Sequence, residues 1–421
     1  MKAGIEEEIT MRFFKAPTLF LVILTLTICS SSSSAMNSMY HSHGPNKGAY
    51  WPSWAISFPP SAIDTTLFTH VYYAFLSPSN VTFKFEIDYP TALLLKNFTN
   101  ALRVKVPPVK RMFSIGGATD GPKVFSRMAI SYDTRKSFIM STIEVARKFD
   151  FDGIDLDWEF PQTPIDMVNF RHLIHEWRVA VNEEAKLTSR PQLLLSAATY
   201  YKPEVSLDDV YRKYPVKSIN ENLDWINAMC YDYHGAWDLT ATGAQAALYD
   251  PNSNVTTSYG LQSWLKAKLQ KEKLVMGLPL YGRTWQLKDP SLYGIGAPAV
   301  DIGPGVDGQM PYVDIEKFNS QNNALVEFDS LTVSTYSVSG TSWIGYDDVR
   351  SIKLKVEYAR ELKIGGYFFW AVNGDQDWKL SREGIHYLYN TIEFDHLLRH
   401  GRFEEPRTRV SSGEAKYESL Y

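Results

Sequence analysis

The sequence predicts a closed (β/α)8 TIM barrel that carries a small α+β insertion between its seventh and eighth strands. Three observations predict it. Eight short runs, at 47–51, 69–75, 110–115, 153–159, 193–199, 225–231, 274–281 and 366–371, are mostly continuous apolar segments. Strands buried on both faces of a parallel sheet read this way. Between them lie helical stretches such as 134–149, 166–184, 260–269 and 347–362, and strand–helix alternation builds a parallel sheet. Finally, the interval from Tyr281 to Trp343 breaks the alternation: it is rich in Gly, Pro, Tyr and Asp, with strand-like pieces at 325–328 and 332–338. A structureless loop of that length is uncommon in a compact domain, so a small folded insertion is expected. The alternative, a doubly wound open sheet, needs about two fewer strands. It finds no Gly-rich dinucleotide or phosphate loop to support it. The expected organisation is 36–282 for strands one to seven, 283–342 for the insertion, and 343–395 for strand eight and the last helix.

Composition narrows the class. The chain of 421 residues holds 44% hydrophobic and 21% charged residues, with a net charge of −4. No long basic patch exists, which argues against a nucleic-acid partner. The aromatic load of 11 Trp, 25 Tyr and 22 Phe serves a core, or a groove that stacks flat rings against an amphipathic ligand. Cys29 and Cys230 are too few for a disulfide framework or a metal cluster, and neither metal nor cofactor is expected.

Both ends read as dispensable to the barrel. Arg12 and Lys15 precede an apolar stretch at 16–29, and the serine run Ser30–Ser34 ends at Ala35. These are the parts of a secretory signal over 1–35, too short to span a bilayer. Met11 is an alternative start, given the acidic leader Glu6-Glu7-Glu8. Behind such a signal, the sequons at Asn80, Asn97 and Asn254 become glycosylation candidates. The polar segment 396–421 lacks periodicity and is expected to be a tail. A secreted protein, extracellular or vacuolar, with no membrane association after signal removal is expected, and a monomer.

The chemistry concentrates in Asp152-Gly153-Ile154-Asp155-Leu156-Asp157-Trp158-Glu159. Strand residues two apart share a face, so Asp155, Asp157 and Glu159 point one way and Ile154, Leu156 and Trp158 the other. Three carboxylates about 6–7 Å apart on one buried face cannot all ionise cheaply. At least one holds a proton near neutral pH, as a general acid for glycosidic cleavage must. Glu159 is the longest and lies at the strand's C-terminal end, where barrel enzymes carry their chemistry. Asp152 falls outside the set and reads as structural. A divalent-cation site is the competing reading. A solvated acidic loop would leave the interleaved Ile, Leu and Trp unexplained.

This run resembles the D-G-x-D-x-D-x-E signature of glycoside hydrolase family 18. Ser114-Ile115-Gly116-Gly117 resembles the family's S-x-G-G on strand three, and Met229-Cys230-Tyr231-Asp232 its M-x-Y-D on strand six. Gly277-Leu278-Pro279-Leu280-Tyr281-Gly282-Arg283 and Gly366-Tyr367-Phe368-Phe369-Trp370 resemble the strand-seven and strand-eight motifs. The resemblance covers Lys47 to Tyr389 and is closest to plant class V chitinases. One departure is Ala49, where the family usually has Gly. No cysteine-rich chitin-binding module is present, so soluble oligomers are expected as substrates before crystalline chitin.

The resemblance implies a retaining, substrate-assisted, endo-type chitinase acting on chitin and chitooligosaccharides. Glu159 would be the general acid and then base. Asp157 would hold the acetamido N–H, and Asp155 would share a proton with Asp157, supported by Ser114 and Tyr50. Tyr231 and Asp232 would contact the same sugar, Trp370 would floor it, and Arg283, Met229, Tyr281 and Gly117 would line the cleft. Asp152 stays a supporting residue. The same fold hosts lectin-like proteins that bind without cutting, commonly lacking the glutamate or its aspartate partner. A sugar-sensing ectodomain would need a membrane span after the barrel, which 396–421 does not offer.

Overall fold

The computed structural model describes residues 44–118 and 121–384. The expected leader at 1–35, the expected tail at 396–421 and the part of the expected 343–395 segment past 384 lie outside the described residues. Eight short strands pair in parallel and close on themselves: β1 (Asn46–Pro52), β2 (His70–Leu76), β3 (Lys110–Gly116), β4 (Gly153–Asp157), β5 (Leu194–Tyr200), β6 (Trp225–Met229), β7 (Leu274–Pro279) and β8 (Gly366–Trp370), with β8 returning to β1. Alternation divides each strand between two cores. Val71, Phe113, Ile154, Leu156, Leu195, Ile226, Met276 and Phe369 face outward into the layer shared with the helices. Tyr50, Tyr72, Met112, Trp225, Val275 and Phe368 fill the barrel interior.

The helices that cover the sheet are set by their caps. Thr163 and Asp166 form a capping box at Pro164–Thr188, Ser131 and Thr134 one at Tyr132–Lys148, and Asp348 and Ser351 one at Val349–Leu362. The first crossover holds only the 3₁₀ turn Pro60–Ala62. A hairpin of Glu204–Leu207 and Val210–Lys213, which hydrophobic patterning did not signal, follows β5.

Strands four, six and seven end two residues earlier than their apolar patterns extend, at Asp157, Met229 and Pro279. The ladder stops where neighbours turn away: Gly116, partner of Asp157, has φ +106°, and Asp232 has φ 57°. Glu159, Tyr231 and Tyr281 therefore stand on the barrel mouth rather than in the ladder. Tyr281–Leu287 opens a second, antiparallel sheet with Ala299–Ile302, Gln309–Pro311, Leu325–Asp329, Ser334–Ser339 and Ser342–Tyr346, plus the helix Tyr312–Gln321. Trp285 and Trp343, edge to face at 5.3 Å, centre its own small core. No helix among the described residues is long and apolar enough to cross a membrane.

Candidate active site

Register builds the site's floor. Ser114, Asp155 and Ser196 are level partners on β3, β4 and β5, so all three side chains enter the barrel together. Asp155, fully buried, accepts the Ser114 hydroxyl at 2.7 Å, the Tyr50 hydroxyl at 2.8 Å and the Ser196 hydroxyl at 2.6 Å. Burial raises its pKa while the three hydroxyls pull it back. Asn227 Nδ2 donates to the Tyr50 oxygen at 2.8 Å, which turns that hydroxyl toward Asp155. Ser196 and Asn227 were not singled out from the sequence. The parity of β5 and β6 places them inward, but each is one small polar residue in an apolar run.

One step toward the mouth the environment changes. Asp157 is buried, and its Oδ1 has no hydrogen-bond partner among the described residues. Its pKa stands well above the usual carboxylate range, through burial first and then the charges of Glu159 and Asp155. Glu159 follows just beyond the strand. Burial, reinforced by the charge of Asp232, pushes its pKa up to about 7. Ile154, Leu156 and Trp158 point the opposite way into the outer core, as alternation requires.

The facing wall is an electrostatic knot. Asp232 Oδ1 accepts the Tyr281 hydroxyl at 2.8 Å, Arg283 Nε at 2.8 Å and Arg283 Nη2 at 2.7 Å. The Arg283 guanidinium lies 5.0 Å from the Trp237 ring centre and 5.5 Å from that of Tyr281, within cation–π range. Tyr231 sits edge-on to Tyr281 at 6.2 Å, and burial and its acidic neighbours hold its hydroxyl proton firmly. Backbone ties hold this wall in place: Gln245 Nε2 donates to Tyr281 O at 2.7 Å, and Trp285 Nε1 to Asp238 O at 2.8 Å.

Trp370 ends β8 and stacks on Phe75 at 5.4 Å, with Tyr50 edge-on at 5.5 Å. Gly117, at φ +84°, has Phe75 carbon 2.5 Å from where a Cβ would lie, so only glycine admits this ring. Met229 joins the same interior cluster. Exposed Trp54, 6.4 Å from Trp370, and Trp237 extend the aromatic surface. Both lie in loops without periodicity, where sequence patterning gives no signal.

Asp152 stands apart, at the other end of β4, where it accepts the Arg111 backbone N–H at 2.8 Å and Arg111 Nε at 2.9 Å. The sequon residues Asn80, Asn97 and Asn254 are exposed on the outside. Among the described residues no cluster of His, Cys, Asp or Glu is arranged to hold a metal ion.

The geometry gathers Glu159, Asp157, Tyr231, Asp232, Tyr281, Arg283, Met229, Trp370 and Gly117 toward one barrel mouth, over a floor of Asp155, Ser114 and Tyr50, and the chain as a whole is similar to known proteins. A class V chitinase of Medicago truncatula, CHIT5a, is 49% identical over 368 residues, covering 86% of this chain and 95% of the relative. A solved chitinase from Cycas revoluta, in complex with allosamidin, superposes with TM-score 0.78 at 42% identity over 81% of this chain and 99% of that one. A chitinase-like agglutinin from Robinia pseudoacacia superposes with TM-score 0.74 at 38% identity, covering 81% and 98%. The family model described as glycosyl hydrolases family 18 matches residues 46–375. The chain belongs to the glycosyl hydrolases of family 18.

Proposed function

We propose that the chain is a secreted, endo-type chitinase that cleaves β-1,4 bonds between N-acetylglucosamine units with retention, using the substrate's acetamido group as nucleophile. The observation that carries this is the pair at the end of β4: Glu159, pushed up to about 7, beside Asp157 with one buried oxygen unanswered. A carboxylic acid protonated near neutral pH can donate to a leaving oxygen. An unpartnered buried carboxylate oxygen needs a donor, and an acetamido N–H is one.

In this reading Glu159 protonates the glycosidic oxygen as the C1–O bond breaks. The acetamido carbonyl oxygen attacks C1 and gives an oxazolinium ion. Asp157 accepts the acetamido N–H and offsets the positive charge, and Asp155 shares a proton with it. Tyr231 donates to the acetamido oxygen, and Asp232, held by Tyr281 and Arg283, contacts the same sugar over Trp370. Water then attacks C1, and Glu159 takes its proton. Secretion rests on the leader at 1–35 and on the exposed sequons.

Sugar binding without cleavage is the second reading, and the similarity to an agglutinin favours testing it. The chain has both Glu159 and Asp157, and proteins of this fold that bind without cutting commonly lack one of them, which supports cleavage. The purified protein and Glu159→Gln are incubated with a chitin hexamer and products are followed. Wild type is expected to cut it. Glu159→Gln is expected to bind while losing at least about 10²–10⁴-fold in rate. A wild type that binds and releases nothing would leave the lectin reading standing, and a mutant as fast as wild type would remove Glu159 from its role.

A further inference from the structure

The segment that follows Glu159 is fastened from two sides. On one side Asp166 Oδ2 accepts the backbone N–H groups of Gln162 at 3.0 Å and Thr163 at 3.1 Å, and the Ser126 hydroxyl at 3.0 Å. On the other side stands Arg212, from the hairpin after β5. Its side chain belongs to a residue only 3% exposed, yet among the described residues its hydrogen bonds go to backbone carbonyls. Nε donates to Pro161 O at 2.6 Å, and Nη1 to Leu207 O and Val210 O at 2.7 Å each.

A buried guanidinium ordinarily faces a carboxylate, because an unpaired charge is expensive to desolvate. Arg212 instead reads two carbonyls of its own hairpin turn, where Asp208 and Asp209 have φ 55° and 56°, and one carbonyl two residues past Glu159. A two-residue hairpin turn closes without any buried charge. What the charge adds is the bridge to Pro161. Only the planar fork of arginine can reach these carbonyls together. Between Glu159 and the anchored Pro161, Phe160 rests edge-on against Tyr200 at 5.3 Å.

Resting on the role proposed above for Glu159, we infer that Arg212 is a positioning residue: it fastens the Glu159–Phe160–Pro161 segment to the hairpin and so aims the acid over the cleft. The inference predicts an effect on turnover rather than on binding. A displacement of about 1 Å at a reacting group can lower rate by about 10²-fold. A loosened Glu159 also meets more water, so the burial that lifts its pKa weakens.

The test compares wild type with Arg212→Gln, Arg212→Lys and Glu204→Gln on the chitin hexamer. Glu204→Gln is the control, since it loosens the same hairpin by removing the exposed Glu204–Lys213 pair at 2.8 Å. Arg212→Gln is expected to lose about 10- to 100-fold in kcat with KM and calorimetric hexamer affinity nearly unchanged. The high-pH limb of its kcat profile is expected to move toward lower pH. Arg212→Lys, which keeps the charge but not the fork, should recover part of the rate, and it carries the test should Arg212→Gln fail to fold. Glu204→Gln should match wild type. Variants that melt earlier yet keep wild-type kcat and pH profile per folded molecule would reduce Arg212 to a structural residue and overturn the inference. An inactive wild type would instead remove the hydrolase reading on which it rests.

Discussion

The two ends of β4 each carry an acid, and the protein treats them oppositely. At the N-terminal end Asp152 meets Arg111 through the backbone N–H and Nε, with its side chain 26% exposed. Its charge is answered by a cation and by water. At the C-terminal end Asp157 and Glu159 sit among other acids, and no cation touches them in the described hydrogen bonds. Only Asp155, between the two ends, has its oxygens filled by neutral hydroxyls. An answered charge supports the fold; an unanswered one stores a proton and waits for a ligand. The same residue type on one strand thus does two jobs, set by its neighbours.

Asp157→Asn tests the open end most severely in this comparison. The amide keeps the shape and removes the negative charge that would offset an oxazolinium ion. Loss of one such electrostatic partner typically lowers kcat on the order of 10²–10³-fold. Steady-state kinetics on the hexamer checks it, and a variant within a few-fold of wild type would detach Asp157 from the proposed chemistry.

The pH dependence of stability sharpens the contrast. Glu159 titrates near 7 in the folded chain against an ordinary value of 4.5. The folded state therefore holds a proton that the unfolded chain releases earlier. This favourable contribution is complete below about pH 4.5 and is lost as pH rises through about 7. The loss is on the order of 3 kcal/mol. Glu159→Gln, which cannot ionise, should melt higher than wild type at pH 8 and alike at pH 4, as scanning calorimetry would show. Activity should fall over the same window, since the acid must be protonated to donate. Equal melting differences at both pH values would mean that the proton is not held at Glu159.

Much of this was readable in the residues, and the exceptions have physical causes. Alternation placed Asp155 and Asp157 inward because a strand's period is two and the apolar Ile154 and Leu156 fix the other face. The expected strand through Glu159 ends instead at Asp157; the position of Glu159 past the ladder comes from the turn at Gly116 on the neighbouring strand, which no local pattern in β4 encodes. Ser196 was invisible because its meaning lies in its register with Asp155, a partner 41 residues away. Arg212 was invisible for a related reason: its partner is the carbonyl of Pro161, and backbone carbonyls carry no side-chain signature. Trp54 and Trp237 sit in loops, where only the fold tells which way they face.

Tyr50→Phe probes the sealed middle. It deletes the hydroxyl that donates to Asp155 and accepts from Asn227, taking one of three donors from Asp155 and the Tyr50 acceptor from the buried Asn227 amide. The expected cost is about 1–3 kcal/mol in denaturant unfolding. Ser114 and Ser196 still hold Asp155, so turnover should fall far less than in Asp157→Asn.

The smallest effect on chemistry belongs to the answered end. Asp152→Asn weakens the contacts to Arg111 Nε but leaves an oxygen to accept the Arg111 backbone N–H. The Arg111 guanidinium keeps Asp150, which accepts Nη1 at 2.9 Å. Because both partners touch solvent, the loss should stay near about 1 kcal/mol, the upper range for exposed pairs. Nothing in that change reaches the mouth of the barrel, which lies at the opposite end of β4. Hexamer turnover should therefore match wild type while the unfolding midpoint drops slightly. A large fall in kcat with a normal midpoint would break the division between the two ends, since it would require the strand to transmit a charge change along its length to Glu159.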